Sequence, residues 1–186
     1  MGLFLIPLLM GFGFHSASTF TTFFARRWGE PRGRALSFIL RNLLGLPLWG
    51  AGLGMAVLTP GPLLYPTHGL ADLAGWLVIA GGAGLILSSL RVLRQKAAAP
   101  ALKDSLIETG PYGVVRHPIH VGLFMELLGV FLLAPSLPVG AAWAIGAGWI
   151  GLQSRLEEWD LLQRCEGYRD YMRRVPRFWP KFFHKA

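Results

Sequence analysis

Five apolar runs set the pattern of the chain: about Leu3–Phe24, Leu36–Leu58, Leu70–Leu90, Ile119–Ala134 and Val139–Leu152. The first three have the ~20 residues a helix needs to cross a bilayer. The last two are shorter, so each borrows a turn from its flanks or the pair forms a tight hairpin in a thinned region. Pro135-Ser-Leu-Pro138 supplies the sharp turn between them. From Gln153 the pattern changes. Leu156, Trp159, Leu162 and Tyr168 fall near helical spacing with charges between them, which predicts an amphipathic helix on the membrane face. The expected fold is an all-α integral membrane protein of about five transmembrane helices with a C-terminal amphipathic helix. Residues 1–93 read as a three-span scaffold, and residues 94–186 hold most of the ionisable groups, after a linker beginning at Ala97–Pro100.

Composition agrees with this pattern. Of the 186 residues, 53% are hydrophobic and 15% charged, against roughly 25% charged in a soluble domain. No Lys or Arg precedes the first run, which is therefore read as a retained helix and not a signal peptide. The formal charge of +8 is explained by topology, without nucleic acid. Four of the 18 Lys and Arg follow the first run, five lie from Arg91 to Arg116, and eight lie from Arg155 onward. The Thr59–Gly69 loop and the Pro135–Pro138 turn carry none. An N-terminus outside and a C-terminus in the cytoplasm put every loop cation on one side. The single Cys165 excludes a disulfide framework and a cysteine metal cluster.

Polar residues inside the runs are few. His15, Ser16, Ser18 and Thr19 suit helix–helix contact, and Gly81-Gly82-Ala83-Gly84 lets another helix approach closely. Arg41 is expected to snorkel back to the Arg26–Arg34 loop, the alternative being a polar contact to a ligand or partner helix. Glu126 lies ~13 Å beyond His117 along its helix and is expected to be hydrogen-bonded between helices.

The chemistry concentrates in Glu108-Thr-Gly-Pro-Tyr-Gly-Val-Val-Arg-His-Pro-Ile-His-Val-Gly122. Gly110-Pro111 ends an extended approach, and Pro118 occupies a first-turn position that tolerates a missing N–H. Arg116 and His117 then stand at the positive end of a helix, suited to the anionic part of a ligand. His120 lies on the same side, three residues on. Arg155, Glu157 and Glu158 leave the fifth run, which the hairpin returns beside the fourth. The set suits a zwitterion with a positive centre: a carboxylate at the helix end and Arg116, an ammonium or sulfonium at Glu157 or Glu158. His-x-x-His with two glutamates would also suit zinc or a di-metal pair. That reading leaves the glycines and proline unexplained, and no metal is assigned. In the plainest reading Arg116, His117 and Arg155 are juxtamembrane anchors that the glutamates balance.

The ordered residues Thr109-Gly-Pro-Tyr112, Arg116-His-Pro118, Gly122, Arg155-Leu-Glu-Glu158 and Tyr168-Arg-Asp-Tyr171-Met-Arg-Arg-Val-Pro176 resemble the isoprenylcysteine carboxyl methyltransferase family and its phospholipid methyltransferase-like bacterial relatives. The resemblance covers about residues 102–180. It implies an S-adenosylmethionine-dependent membrane methyltransferase whose cofactor pocket lies at the cytoplasmic side. By motif position, Ser105, Leu106, Ile107, Tyr112, His117, Pro118, Ile119 and His120 would line the cofactor. One of Glu157 and Glu158 would meet its methionine end, and Arg155 would face the substrate. The family usually has Tyr where this chain has His120, and the usual Phe-Gly-Glu-Glu-Tyr is shortened to Cys165-Glu-Gly-Tyr168.

Methyl transfer needs an aligned nucleophile and little water, with no metal or covalent intermediate. A carboxylate acceptor needs no base; for an amine or thiol, His120, Glu157 and Glu158 are the candidates. The acceptor is expected to be a lipophilic small molecule or membrane lipid that enters between the spans, in a short chain suited to a bacterial inner membrane. Two other classes stay open: a sterol-reductase-like enzyme using NADPH, and a non-catalytic membrane scaffold.

Overall fold

The computed structural model describes residues 2–94 and 105–180. The expected linker at Ala97–Pro100 lies outside them. The described residues form helices and loops, with a lone extended pairing of Leu63 with Ser136.

The first apolar run is not continuous. It divides into α1 (Leu5–Ala17) and α2 (Thr21–Trp28). The polar residues between them compete with the helical ladder: the Ser18 hydroxyl donates to the His15 carbonyl at 2.5 Å. At the start of α2 the Thr22 N–H donates to Asp160 Oδ1 at 3.0 Å, which satisfies one of the free amides of a helix N-terminus. The second run begins earlier than its hydrophobicity suggests. Helix α3 (Glu30–Phe38), a π-helical turn (Ile39–Gly45) and α4 (Leu46–Leu58) make one run of 29 residues. Pro47, near the start of α4, has no N–H to return to the preceding turn, and the hydrogen-bond ladder widens there.

Helix α5 (Gly69–Leu93) is capped by His68, whose Nδ1 accepts from the Ala71 N–H at 3.4 Å. Helix α6 (Pro118–Leu133) follows a single turn at Gly110–Gly113, and α7 spans Leu137–Arg164. Helix α8 (Tyr168–Arg174) follows a tight turn at Gly167, which takes a φ of 77° that a residue with a Cβ rarely adopts. The runs Glu30–Leu58 and Gly69–Leu93 are long and apolar enough to cross a bilayer, while α1 and α6 are shorter apolar helices. Ile6, Leu9, Leu73, Trp76 and Leu77 are exposed on the outer faces. Such surface is suited to lipid.

Two features position the site. Helices α5 and α6 pack antiparallel through glycines: a Cβ on Gly82 would lie 2.7 Å from the Gly122 carbonyl oxygen, and one on Gly129 would lie 2.8 Å from that of Gly75. Of the expected Gly-rich run, Gly82 makes the close approach, and Gly84 faces open space. Helix α7 crosses the molecule and joins α1, α4 and α6 in one core, with Phe12 stacked on Trp149 at 4.3 Å.

The separate amphipathic helix expected from Gln153 is corrected: α7 continues unbroken for 28 residues to Arg164. Its polarity is also inverted. Gln153, Ser154, Glu158 and Asp160 are buried, while Leu152, Trp159 and Leu162 face outward.

Candidate functional site

Helix α6 starts at Pro118 with His117 in the capping position, as the proline at a first helical turn allows. The chain after α8 returns across this start. The Arg116 N–H donates to the Pro176 carbonyl at 2.8 Å, and the His117 N–H to that of Arg177 at 3.2 Å. The Arg116 guanidinium donates to Glu158 Oε1 through Nε (3.0 Å) and Nη2 (2.8 Å). Its Nη1 donates to the Met172 carbonyl at 3.0 Å and to that of Val175. Arg177 also donates to both oxygens of Glu158, and His117 Nε2 lies 3.1 Å from Oε1. The Tyr171 hydroxyl donates to the Tyr112 carbonyl at 2.6 Å. The motif segments of the sequence therefore hold one another. Burial pushes the Glu158 carboxyl up, but hydrogen bonds from His117, Arg177 and Arg116 outweigh it and bring it to about 2.

A cavity of about 370 Å³ opens beside this latch. Its polar flank carries His15, Arg41, His117, His120, Glu157 and Asp160, and Tyr112, Tyr168 and Tyr171 add aromatic wall. Its apolar flank is built from Leu46, Ile86, Leu90 and Leu93. Glu157 faces the cavity. Its Oε1 accepts from Gln153 Nε2 at 3.0 Å, and that amide also donates to Thr19 Oγ1 at 2.8 Å. Glu157 Oε2 lies 3.6 Å from His117 Nδ1, and Oε1 lies 3.9 Å from His120 Nε2. Burial acts to raise the Glu157 carboxyl, yet His120, His117 and Arg41 outweigh it and hold it well below the usual range. For His117, burial lowers the imidazole, and hydrogen bonds to Glu157 and Glu158 prevail and raise it. The arrangement offers the Glu157 carboxylate and several basic side chains around a partly apolar space.

Of the residues expected at the site, Ser105, Leu106, Ile107, Tyr112, Arg116, His117, Ile119, His120 and Glu157 line the cavity. Pro118 is buried beneath it. Glu158 is enclosed by Arg116, His117 and Arg177, so Glu157 is the member of the pair that meets the cavity, and the Arg116 fork is taken up by Glu158 and two carbonyls. Arg155 is exposed on the opposite side of α7 and lies outside the cavity wall. Glu126 packs toward Gly82 of α5, away from the site.

The snorkelling expected of Arg41 is corrected. It sits in the π-helical turn, lines the cavity, and its Nε lies 3.4 Å from Ser18 Oγ. Such turns widen a helix and often mark functional sites. Residues that sequence reasoning missed are His15, Asp160 and Arg164. The signal for Asp160 was the spacing Gln153, Glu157, Asp160, Arg164, one helical stripe of polar groups. Asp160 binds Arg164 Nε at 2.6 Å. His15 Nδ1 is buried without a hydrogen-bond partner.

These features define an all-helical, membrane-associated protein with a cavity where the first four apolar runs meet the motif segments and the end of α7. The chain belongs to the phospholipid methyltransferase family, which matches residues 70–164, just over half its length. It is 32% identical over 77 residues to the nickel-cobalt-cadmium resistance protein NccN of Alcaligenes xylosoxydans xylosoxydans, covering 41% of this chain and 36% of that protein. It is likewise 32% identical over 79 residues to the cobalt-zinc-cadmium resistance protein CzcN of Cupriavidus metallidurans, covering 42% and 37%. The match thus spans little more than a third of each curated relative. No solved structure matches the chain.

Proposed function

We propose that the protein transfers a methyl group from S-adenosylmethionine to a lipophilic acceptor at the cytoplasmic side of a membrane that it crosses about five times. The observation that carries this reading is the two-sided cavity. One flank is polar and comes from the motif segments together with His15 and Arg41; the other is apolar and comes from helices long enough to span a bilayer. Its volume of about 370 Å³ falls in the ~300–1,000 Å³ range of small-molecule sites. Leu46 and Leu90 line the cavity and are also exposed on the outer surface, which supports lateral entry of the acceptor.

The donor set fits the proposed cofactor. Arg41 is a cavity-lining guanidinium suited to a carboxylate, and Glu157 is a cavity-lining carboxylate suited to an ammonium or sulfonium. Leu106, Ile107 and Tyr112 supply an apolar and aromatic wall for a purine. When bound, S-adenosylmethionine supplies an electrophilic methyl on a sulfonium. The residues of the chain orient the acceptor, exclude water and hold Glu157 in place through Gln153. A carboxylate acceptor gives up no proton. An amine acceptor does, and His120 and Glu157 are the cavity groups placed to take it.

The test is a thermal-shift titration of detergent-purified protein with S-adenosylhomocysteine, using NADPH as the control. Selective binding to the folded state raises the melting temperature by mass action. A saturable shift with the homocysteine compound alone supports the reading. A shift with NADPH alone favours a reductase. No shift in folded protein favours a non-catalytic role.

A further inference from the structure

We infer that His117, His120 and Glu157 form a binding site for a divalent transition-metal ion of the zinc or cobalt type. One ligand atom from each residue lies within 4.8 Å of the others, and all three residues line the cavity. The His117 and His120 Nδ1 atoms are 3.3 Å apart. Two nitrogens bound at the ~2.0–2.1 Å typical of zinc sit ~3.3 Å apart across a tetrahedral edge. Two imidazoles and a carboxylate are the ligand set that zinc and its neighbours take.

The surroundings of His117 point the same way. Its Nε2 lies 3.1 Å from Glu158 Oε1. A carboxylate oxygen only accepts, so the proton on that side is on Nε2. That leaves Nδ1 facing His120 Nδ1 and, at 3.6 Å, a Glu157 oxygen. A metal ion bound here takes the place of the Nδ1 proton that otherwise joins His117 to Glu157. Glu158, itself held by Arg116 and Arg177, thus stands where a second carboxylate orients a metal-bound histidine. Gln153 holds Glu157 from the other side. Three protein ligands and an open direction toward the cavity leave a coordination position for water or a small molecule, as in sites where a metal binds ligand as well as protein. Arg41 lines the same cavity and opposes the ion's charge, so binding is expected to be moderate in strength and to favour metals with high imidazole affinity.

The site shares His120 and Glu157 with the methyl-transfer reading but does not depend on it, and it is tested without cofactor. Tag-free full-length protein in detergent is titrated with Co(II) at neutral pH, and the visible d–d absorption of the bound ion is followed. The expected result is a single low-symmetry Co(II) spectrum that Zn(II) abolishes by displacement. His120→Ala and Glu157→Gln should each weaken binding by about tenfold or more, the size of effect that even outer-shell changes produce. His68→Ala, at the exposed start of α5, should leave it unchanged. Melting curves establish that the variants are folded, and the conservative Glu157→Gln serves if His120→Ala is not. Absence of the spectrum in folded wild-type protein overturns the inference. So does a spectrum that survives both ligand variants, or one that His68→Ala removes.

Discussion

The neighbouring glutamates of α7 are expected to fail in opposite ways. Glu158 is 4% exposed and is shared by Arg116, 8% exposed, and Arg177, 31% exposed. Glu158→Gln keeps the shape and removes the charge, leaving a buried guanidinium without its counter-ion. Breaking such a buried pair costs ~3–5 kcal/mol. The part that Arg177 contributes is screened by solvent, which places the loss near ~3 kcal/mol. At ~2–4 °C per kcal/mol for a chain of this size, the melting temperature should fall by ~6–12 °C. Glu157 differs: it is 25% exposed and faces the cavity. Glu157→Gln should melt within ~4 °C of wild type, about 1 kcal/mol. Its affinity for S-adenosylhomocysteine should fall by the ~1.5–3 kcal/mol of a charged hydrogen bond, roughly 10- to 150-fold. Differential scanning fluorimetry of both variants, with and without ligand, reads both effects. A large drop in melting temperature for Glu157→Gln with little change for Glu158→Gln would refute the division of roles.

Other positions give sharp contrasts. Gly82→Ala should destabilise by about 1–3 kcal/mol through overpacking against the Gly122 carbonyl, whereas Gly84→Ala, in open space, should express and melt like wild type. Arg155→Ala should keep wild-type affinity for S-adenosylhomocysteine, since Arg155 lies outside the cavity wall; any effect belongs in the KM for the acceptor, and a loss of cofactor affinity would overturn its placement. The Glu158 carboxyl, near 2 when folded, lies below its ordinary ~4.3. Its contribution is therefore present above the unfolded value and is lost as pH falls toward the folded one. The gap in melting temperature between wild type and Glu158→Gln should shrink between about pH 5 and pH 3, and a gap that widens over that range contradicts the sign.

The apolar runs made the helices legible because burial and lipid exposure both follow hydrophobicity. Their ends were less so. The Ser18–Phe20 break depends on side-chain hydrogen bonds and on Asp160, more than a hundred residues away. The helical start at Glu30 lies in a stretch whose charges suggested a loop. The contact set of the cavity was largely readable, because Tyr112, His117, Ile119 and His120 follow one local motif. Which glutamate faces inward was not, since adjacent helical residues differ by ~100° and the choice rests on where Arg116 and Arg177 arrive. Arg41 was misplaced for a related reason. Snorkelling is the default for an arginine in an apolar run, and the π-helical turn that re-aims it leaves no mark in hydrophobicity.

The central claim is methyl transfer from S-adenosylmethionine to a lipophilic acceptor. Its most direct test is the purified chain in liposomes of native lipid extract, supplied with S-adenosylmethionine labelled in the methyl group. Label should enter the organic-extractable fraction with wild-type protein, and should fall strongly with Glu157→Gln under conditions where that variant is folded. Folded wild-type protein that binds S-adenosylhomocysteine yet moves no label into lipid would contradict the acceptor class. Equal labelling by wild type and Glu157→Gln would contradict the site.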